Sequence, residues 1–232
     1  MNLHYDQEFN EHSSRISEEE AHHLLNVLRK KTGDTIFITN GKGSVFQCRI
    51  SSLDKKGCSV SIEKTTFYPT VQPEINLFIS VLKTSERMEW LVEKATEIGV
   101  SSIGFFISAR TERKNVNLNK LNNIAIAAIK QSGRCWLPRI TGPHPISEIL
   151  ETEIGSKWIC TLSDPAPPFL KNVPIETNNV CVLVGPEGDF SAEEEKAVFT
   201  HGFKPVTLGK FTLRAETAGL VAVQTLIDRG NS

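Results

Sequence analysis

Val180-Cys181-Val182-Leu183-Val184 runs without a polar break into Gly185-Pro186-Glu187-Gly188-Asp189-Phe190, and Ser191 with Glu194 follows. A short, wholly apolar run closed by a glycine-proline turn reads as a strand buried on both faces, the kind found in parallel sheets. Serine followed three residues later by glutamate is a capping box, so a helix starts there. The stretch therefore predicts a strand–turn–helix unit of an α/β fold. Val206-Thr207-Leu208 reads as a second strand, Gly209-Lys210-Phe211-Thr212 as its turn, and Leu213 to Asp228 as the last helix. Two buried strands that each end in a glycine turn make a crevice at the carboxyl edge of the sheet, where open α/β sheets bind small ligands.

Working outward, strand and helix signals alternate. Strands are expected at 75–82, 103–107 and 158–162, and helices at 85–98, 118–131, 146–150 and from Ser191 to near Gly202. This alternation predicts a parallel sheet with helices on both faces. Upstream the pattern changes. Ser17 precedes three glutamates as a helix N-cap would, and the short helix is expected to end at Arg29-Lys30-Lys31. Strands follow at 35–39, 44–53 and 58–64, with Asn40-Gly41 and Lys56-Gly57 as hairpin turns. Short strands with tight turns favour a small barrel. The prolines of Tyr68-Pro69 and Gln72-Pro73 mark a linker, giving an organisation of 1–70 and 73–232.

Composition excludes several classes. No apolar run in the 232 residues approaches a membrane span, and the first residues carry no secretory signal, so a cytoplasmic location and no membrane partner are expected. The five cysteines are odd in number and lack metal or redox spacing, which favours reduced, buried thiols. No P-loop, dinucleotide fingerprint or nucleophile elbow is present. Adjacent His22 and His23 do not face one another on a helix, and no metal is expected. Net charge is −1, but residues 71–150 carry ten basic and seven acidic groups, and residues 151–232 seven basic and eleven acidic. A polyanion should touch the first two thirds, leaving a small-molecule site in the acidic last third.

Arg214 and Glu216 flank the start of an otherwise apolar helix, where charges are costly unless paired or functional. An ion pair of Arg214 with Glu216 or Glu187 is one reading; a catalytic role is the other. Arg110, Arg113 and Arg134 are candidate phosphate contacts. Arg29 and Lys30 fit either RNA contact or favourable placement at a helix end.

Taken together, the ordered blocks resemble the RsmE family of ribosomal RNA methyltransferases, of the SPOUT (α/β-knot) superfamily. They are His22 to Arg29 with Gly33-Asp34; Lys83, Arg87-Met88-Glu89 and Glu93 to Val100; Ser108 to Arg113; Gln131-Ser132-Gly133-Arg134; and Leu183 to Ser191 with Leu208-Gly209 and Leu213 to Ala218. The resemblance implies a PUA-like RNA-binding barrel, then a domain with a deep trefoil knot. It implies S-adenosylmethionine as cofactor, N3-methyluridine in the decoding region of 16S rRNA as product, and a homodimer as the working form. Leu162, Gly185, Pro186, Gly188, Leu208, Gly209 and Leu213 would hold the cofactor. Arg29, Lys30, Arg110, Arg113, Gln131 and Arg134 would meet RNA of the small subunit. Arg214 would stabilise the uridinate, and Glu187 or Glu216 would take its proton. Another RNA such as tRNA, or a catalytically silent RNA-binding dimer, are the alternatives. One departure stands out: Asp189 occupies a position where the family often has glycine, and a side chain there limits positive φ.

Overall fold

The computed structural model describes residues 3–54, 57–161 and 165–230. Lys56 of the expected Lys56-Gly57 turn lies outside the described residues. The chain divides into two compact units, residues 1–70 with Ile126–Leu137, and residues 71–125 with 138–232.

In the first unit, strands β1 (Leu3–Tyr5), β2 (Thr35–Thr39), β3 (Ser44–Asp54) and β4 (Gly57–Phe67) form one sheet in that order. β1 pairs parallel to β2, and the other pairs are antiparallel. Alternate residues turn inward as the strand period requires. Ile36, Ile38, Phe46, Cys48, Ile50, Cys58 and Val60 share one core with Ala21 and Leu24 from helix α1 (Glu18–Asn26). This helix ends earlier than the basic run suggested. The amides of Val27 and Leu28 both reach back to the His23 carbonyl, and Arg29 takes φ 51°. The basic cluster therefore lies beyond the helix, and Ser17 sits at its N-cap without a side-chain cap bond.

In the second unit, six strands run parallel in the order β10-β8-β9-β5-β6-β7. In chain order they are β5 (Glu74–Ser80), β6 (Ser102–Ile107), β7 (Arg139–Pro145), β8 (Ser156–Cys160), β9 (Asn179–Val184) and β10 (Lys204–Val206). Helices α2 (Ser85–Ile98), α4 (Ile146–Leu150), α5 (Ala192–Thr200) and α6 (Ala215–Gly230) alternate with them, and α3 (Leu118–Ser132) has its first eight residues in this unit and the rest in the first. Sequence reasoning missed β7. Its Gly142, Pro143 and Pro145 hide the strand signal, and prolines are tolerated there because β7 is an edge. β10 is also shifted: it starts at Lys204, and Thr207 and Leu208 leave the sheet instead of extending it.

The central strands β5 and β9 are buried over most of their length, and Val180 to Val184 at every position. Each such side chain contributes about 1.5–3 kcal/mol of apolar burial. Helix α6 buries Ala218, Gly219, Ala222, Val223, Leu226 and Ile227. A Cβ on Gly219 would sit 3.3 Å from Leu77 and Leu91, so the small residue lets the helix press on β5 and α2. The chain runs outward from β5 through β6 to β7, then crosses to the other side of β5 to build β8, inserts β9 between β8 and β5, and adds β10 outside β8. That reversal beside β5 is a topological switch point, and the carboxyl ends of β5, β8 and β9 open on the same edge.

Candidate functional site

A cavity of about 430 Å³ opens at that edge. Its walls come from three places: Cys160 and Thr161 after β8, Val184 to Glu187 and Asp189 after β9, and Thr207 to Gly209 with Phe211 to Ala215 after β10. The volume lies in the range of small-molecule sites. Burial pushes the Cys160 thiol up to about 12, so at neutral pH it is a neutral wall group and no nucleophile.

The first wall turn is built by local chemistry and then tied down from outside. Ser191 accepts from the Glu194 amide at 3.2 Å, and Glu194 Oε2 accepts from the Ser191 amide at 2.9 Å, completing the capping box at α5. Glu194 Oε1 also accepts from the Ala109 amide at 2.7 Å. That holds the turn after β6, which Thr111 secures through Ser80 (2.7 Å) and the Ser108 amide (2.8 Å). Arg110 then donates to the Gly188 carbonyl at 2.7 Å. Gly185 is required by packing, since a Cβ there would lie 2.8 Å from the Phe190 ring. Asp189 does adopt positive φ, 60°, and its Oδ1 accepts from the Phe190 amide at 2.8 Å. Aspartate tolerates this region better than most residues because its short side chain can bond locally.

Glu187 is gripped twice. Its Oε1 accepts from the Lys83 amide at 3.2 Å and from Arg87 Nη1 at 3.2 Å. Arg87 Nε lies 3.6 Å from Glu216 Oε1. Arg87 thus joins the β9 turn to the start of α6, and the pairs weighed for Arg214 are made by Arg87 instead. Glu216 is buried, and its Oε2 has no hydrogen-bond partner among the described residues. Arg214 is exposed and pairs with no described carboxylate. Its carbonyl accepts from the Ala218 amide at 2.8 Å, so it occupies the α6 N-cap. A cation at the positive end of a helix is disfavoured, so neither capping nor ion pairing accounts for Arg214.

Of the expected cofactor residues, Gly185, Pro186, Leu208, Gly209 and Leu213 line the cavity together with Glu187 and Arg214. Gly188 is not among the lining residues and serves through its carbonyl. Leu162 lies outside the described residues. Glu216 stands behind the wall. Arg110 and Arg113 belong to the second unit, and Arg29, Lys30, Gln131 and Arg134 to the first. Sequence reasoning overlooked Arg87 as a site residue. Its signal was there: it lies four residues before the buried Leu91 and eight before the buried Ala95, a charge in line with an apolar helix stripe. Among the described residues no group of three or more His, Cys, Asp or Glu could hold a metal ion, and no helix is long and apolar enough to cross a membrane.

Comparison with known proteins yields two family matches: an RNA methyltransferase domain over residues 70–227 and an RNA methyltransferase PUA domain over residues 16–63. "Ribosomal RNA small subunit methyltransferase E" of Aquifex aeolicus is 29% identical, covering 98% of this chain and 100% of its own length. Among solved structures, a "probable rRNA-methyltransferase" from Porphyromonas gingivalis superposes with TM-score 0.91 at 36% identity, covering 99% of both chains. The ribosomal RNA small subunit methyltransferase E of Neisseria gonorrhoeae, bound to S-adenosyl methionine, gives TM-score 0.88 at 28% identity over 99% of this chain and 98% of that one.

Proposed function

The chain belongs to the RNA methyltransferase family, within its RsmE branch, and on that premise we propose that it methylates N3 of a uridine in the decoding region of 16S rRNA, with S-adenosylmethionine as donor. The observation that carries this reading is Arg214, an arginine with no ion pair among the described residues, on the wall of a cavity built from three strand-end segments. The residues suit the donor. Apolar and backbone walls from Leu208, Gly209 and Leu213 match an adenine, and a Cβ on Gly209 would meet nothing within 4 Å. The carboxylates of Glu187 and Asp189 on the wall suit a cationic ligand.

S-adenosylmethionine supplies a sulfonium-activated methyl group. The protein must place the acceptor nitrogen in line with it and remove the N3 proton. Arg214 donates to a uracil carbonyl oxygen and stabilises the negative charge that develops there, as preorganised donors do at oxyanions. Glu187 lines the cavity and is the better placed carboxylate to accept the proton. Glu216 enters through Arg87, which fixes both the turn and the helix start.

The PUA family match and the four-stranded sheet support a PUA-like RNA-binding barrel in the first unit. A trefoil knot is supported by the surroundings of α6. Leu170 donates to the Thr207 carbonyl, Thr207 donates to the Pro168 carbonyl, and Arg229 of α6 donates to the Leu170 carbonyl. The segment ahead of β9 is thus bound both before and within the last helix. A homodimer completes the proposal.

The test is methyl transfer by purified protein to unmodified small subunits, free 16S rRNA and tRNA, with the product mapped by nuclease digestion and mass spectrometry. N3-methyluridine in 16S rRNA is expected. Methylation of tRNA, or of another base atom, overturns the substrate assignment; no binding of S-adenosylmethionine in calorimetry leaves only an RNA-binding protein.

A further inference from the structure

Phe211 is 83% exposed, the most exposed large apolar side chain among the described residues, yet it lines the cavity. The other phenylalanine near the site is fully committed. Phe190 stacks on Phe106 with ring centroids 6.2 Å apart and planes 6° from parallel, and it packs on Gly185. Phe211 has no described ring partner, and its neighbours on the loop are exposed cations, Lys210 before it and Arg214 after it. Cations interleaved with a free aromatic face are the signature of single-stranded nucleic-acid contact.

Resting on the methyltransferase reading above, we propose that Phe211 is the stacking platform for the target uracil, with Lys210 beside it for the adjoining phosphate. N3 lies on the Watson–Crick edge, so it can be methylated only after the base has left its pair and its stack. The base then needs a new apolar face close to the donor. Phe211 offers one on the wall that also carries Arg214, so one loop presents both a face for the ring and a donor for its carbonyl oxygen.

Three variants test this: Phe211→Ala, Phe211→Leu and Phe211→Trp. Each is assayed for methyl transfer to small subunits, for S-adenosylmethionine affinity by calorimetry, and for oligomeric state by sedimentation. Loss of one base–aromatic stack lowers kcat/KM by roughly 10- to 100-fold. That loss is expected for the Ala and Leu variants, while Trp stays within about threefold because it keeps the π-face. Donor affinity and oligomeric state are expected to stay unchanged in all three. Full activity of Phe211→Leu overturns the proposal, since apolar bulk alone would then suffice. A tenfold drop in donor affinity reassigns the ring to adenine, and a change of oligomeric state reassigns it to a subunit contact. If the unsubstituted protein methylates 16S rRNA and the Phe211 variants match it, only this proposal fails. If the unsubstituted protein leaves uridine unmethylated, both readings fail.

Discussion

The two glycine turns that wall the cavity are built on opposite plans. The turn after β9 is restrained from every side: Gly185 against Phe190, Arg110 on the Gly188 carbonyl, and Lys83 and Arg87 on Glu187. The segment after β10 is anchored at its ends, by Thr207 Oγ1 on the Gly209 carbonyl and by the Arg214 carbonyl in the first turn of α6. Between those anchors, Lys210, Phe211 and Thr212 are exposed. Groups already bonded to the protein are spent on shape, whereas unbonded groups remain available to a ligand. Restraint before binding lowers the cost of ordering later. The first turn is thus chiefly the mould, with Glu187 Oε2, outside its described bonds, left to take a proton, and the second carries the ring and the guanidinium that meet the substrate base.

This contrast is most exposed to failure at Arg214. If its guanidinium is reserved for the reacting base, Arg214→Ala should lower kcat by roughly 100- to 1,000-fold, the usual loss for one charge-stabilising donor. Donor affinity and melting temperature should hardly move, since Arg214 has no described ion pair to lose. Turnover assays with calorimetry and thermal melts on the same variant separate these outcomes. A large fall in stability would put Arg214 among the restraining residues and erase the distinction.

Arg87 should behave the opposite way. Arg87→Met removes the cation shared by Glu187 and Glu216 and leaves Glu216, with a side chain only 10% exposed, without a counter-charge. Stripping one partner from a fully buried pair costs about 3–5 kcal/mol. Arg87 is 30% exposed, so about 2–3 kcal/mol is expected here, read from urea unfolding. Donor affinity should fall with it, because the mould loosens. Gly185→Ala probes the same turn without touching charge. Its Cβ would press on the Phe190 ring at 2.8 Å, and overpacking of this kind costs roughly 1–3 kcal/mol. The matching change at Gly209, where a Cβ would meet nothing within 4 Å, should leave stability within about 0.5 kcal/mol while weakening donor binding.

The same contrast explains what could be read from the sequence. The strand at 180–184 and the α5 capping box were legible because their causes are local: an unbroken apolar run, and serine with glutamate at fixed spacing. The crevice was legible too, since a glycine turn after a buried strand must lie at the sheet edge, but the individual residues Gly185, Pro186, Leu208, Gly209 and Leu213 came from the family resemblance. For Arg87 only half the signal is local: its place in line with the apolar stripe of α2 marks it as unusual, but its partner Glu187 lies 100 residues away and no local pattern names it. β7 was lost because Gly142, Pro143 and Pro145 contradict strand propensity, and only its edge position permits them. Helix α1 ends before the basic run, because that run suits a helix end only by composition, and Arg29 at φ 51° has already turned the chain away.

At Asp189 two opposing terms nearly balance, which sharpens the comparison most finely. Asp189 has φ 60°, a region that costs an ordinary L-residue roughly 1–2 kcal/mol and glycine almost nothing. Its Oδ1 bond to the Phe190 amide, 2.8 Å, returns about 0.5–1.5 kcal/mol. The two terms nearly cancel, so Asp189→Gly should change stability by less than about 1 kcal/mol in either direction. Asp189→Ala keeps the backbone strain and loses the bond, so it should be the less stable of the two variants. Urea unfolding of the pair measures that order directly. If alanine proves as stable as the native aspartate, the left-handed turn is not held by its own side chain, and the external restraints from Arg110 and Arg87 account for its shape alone.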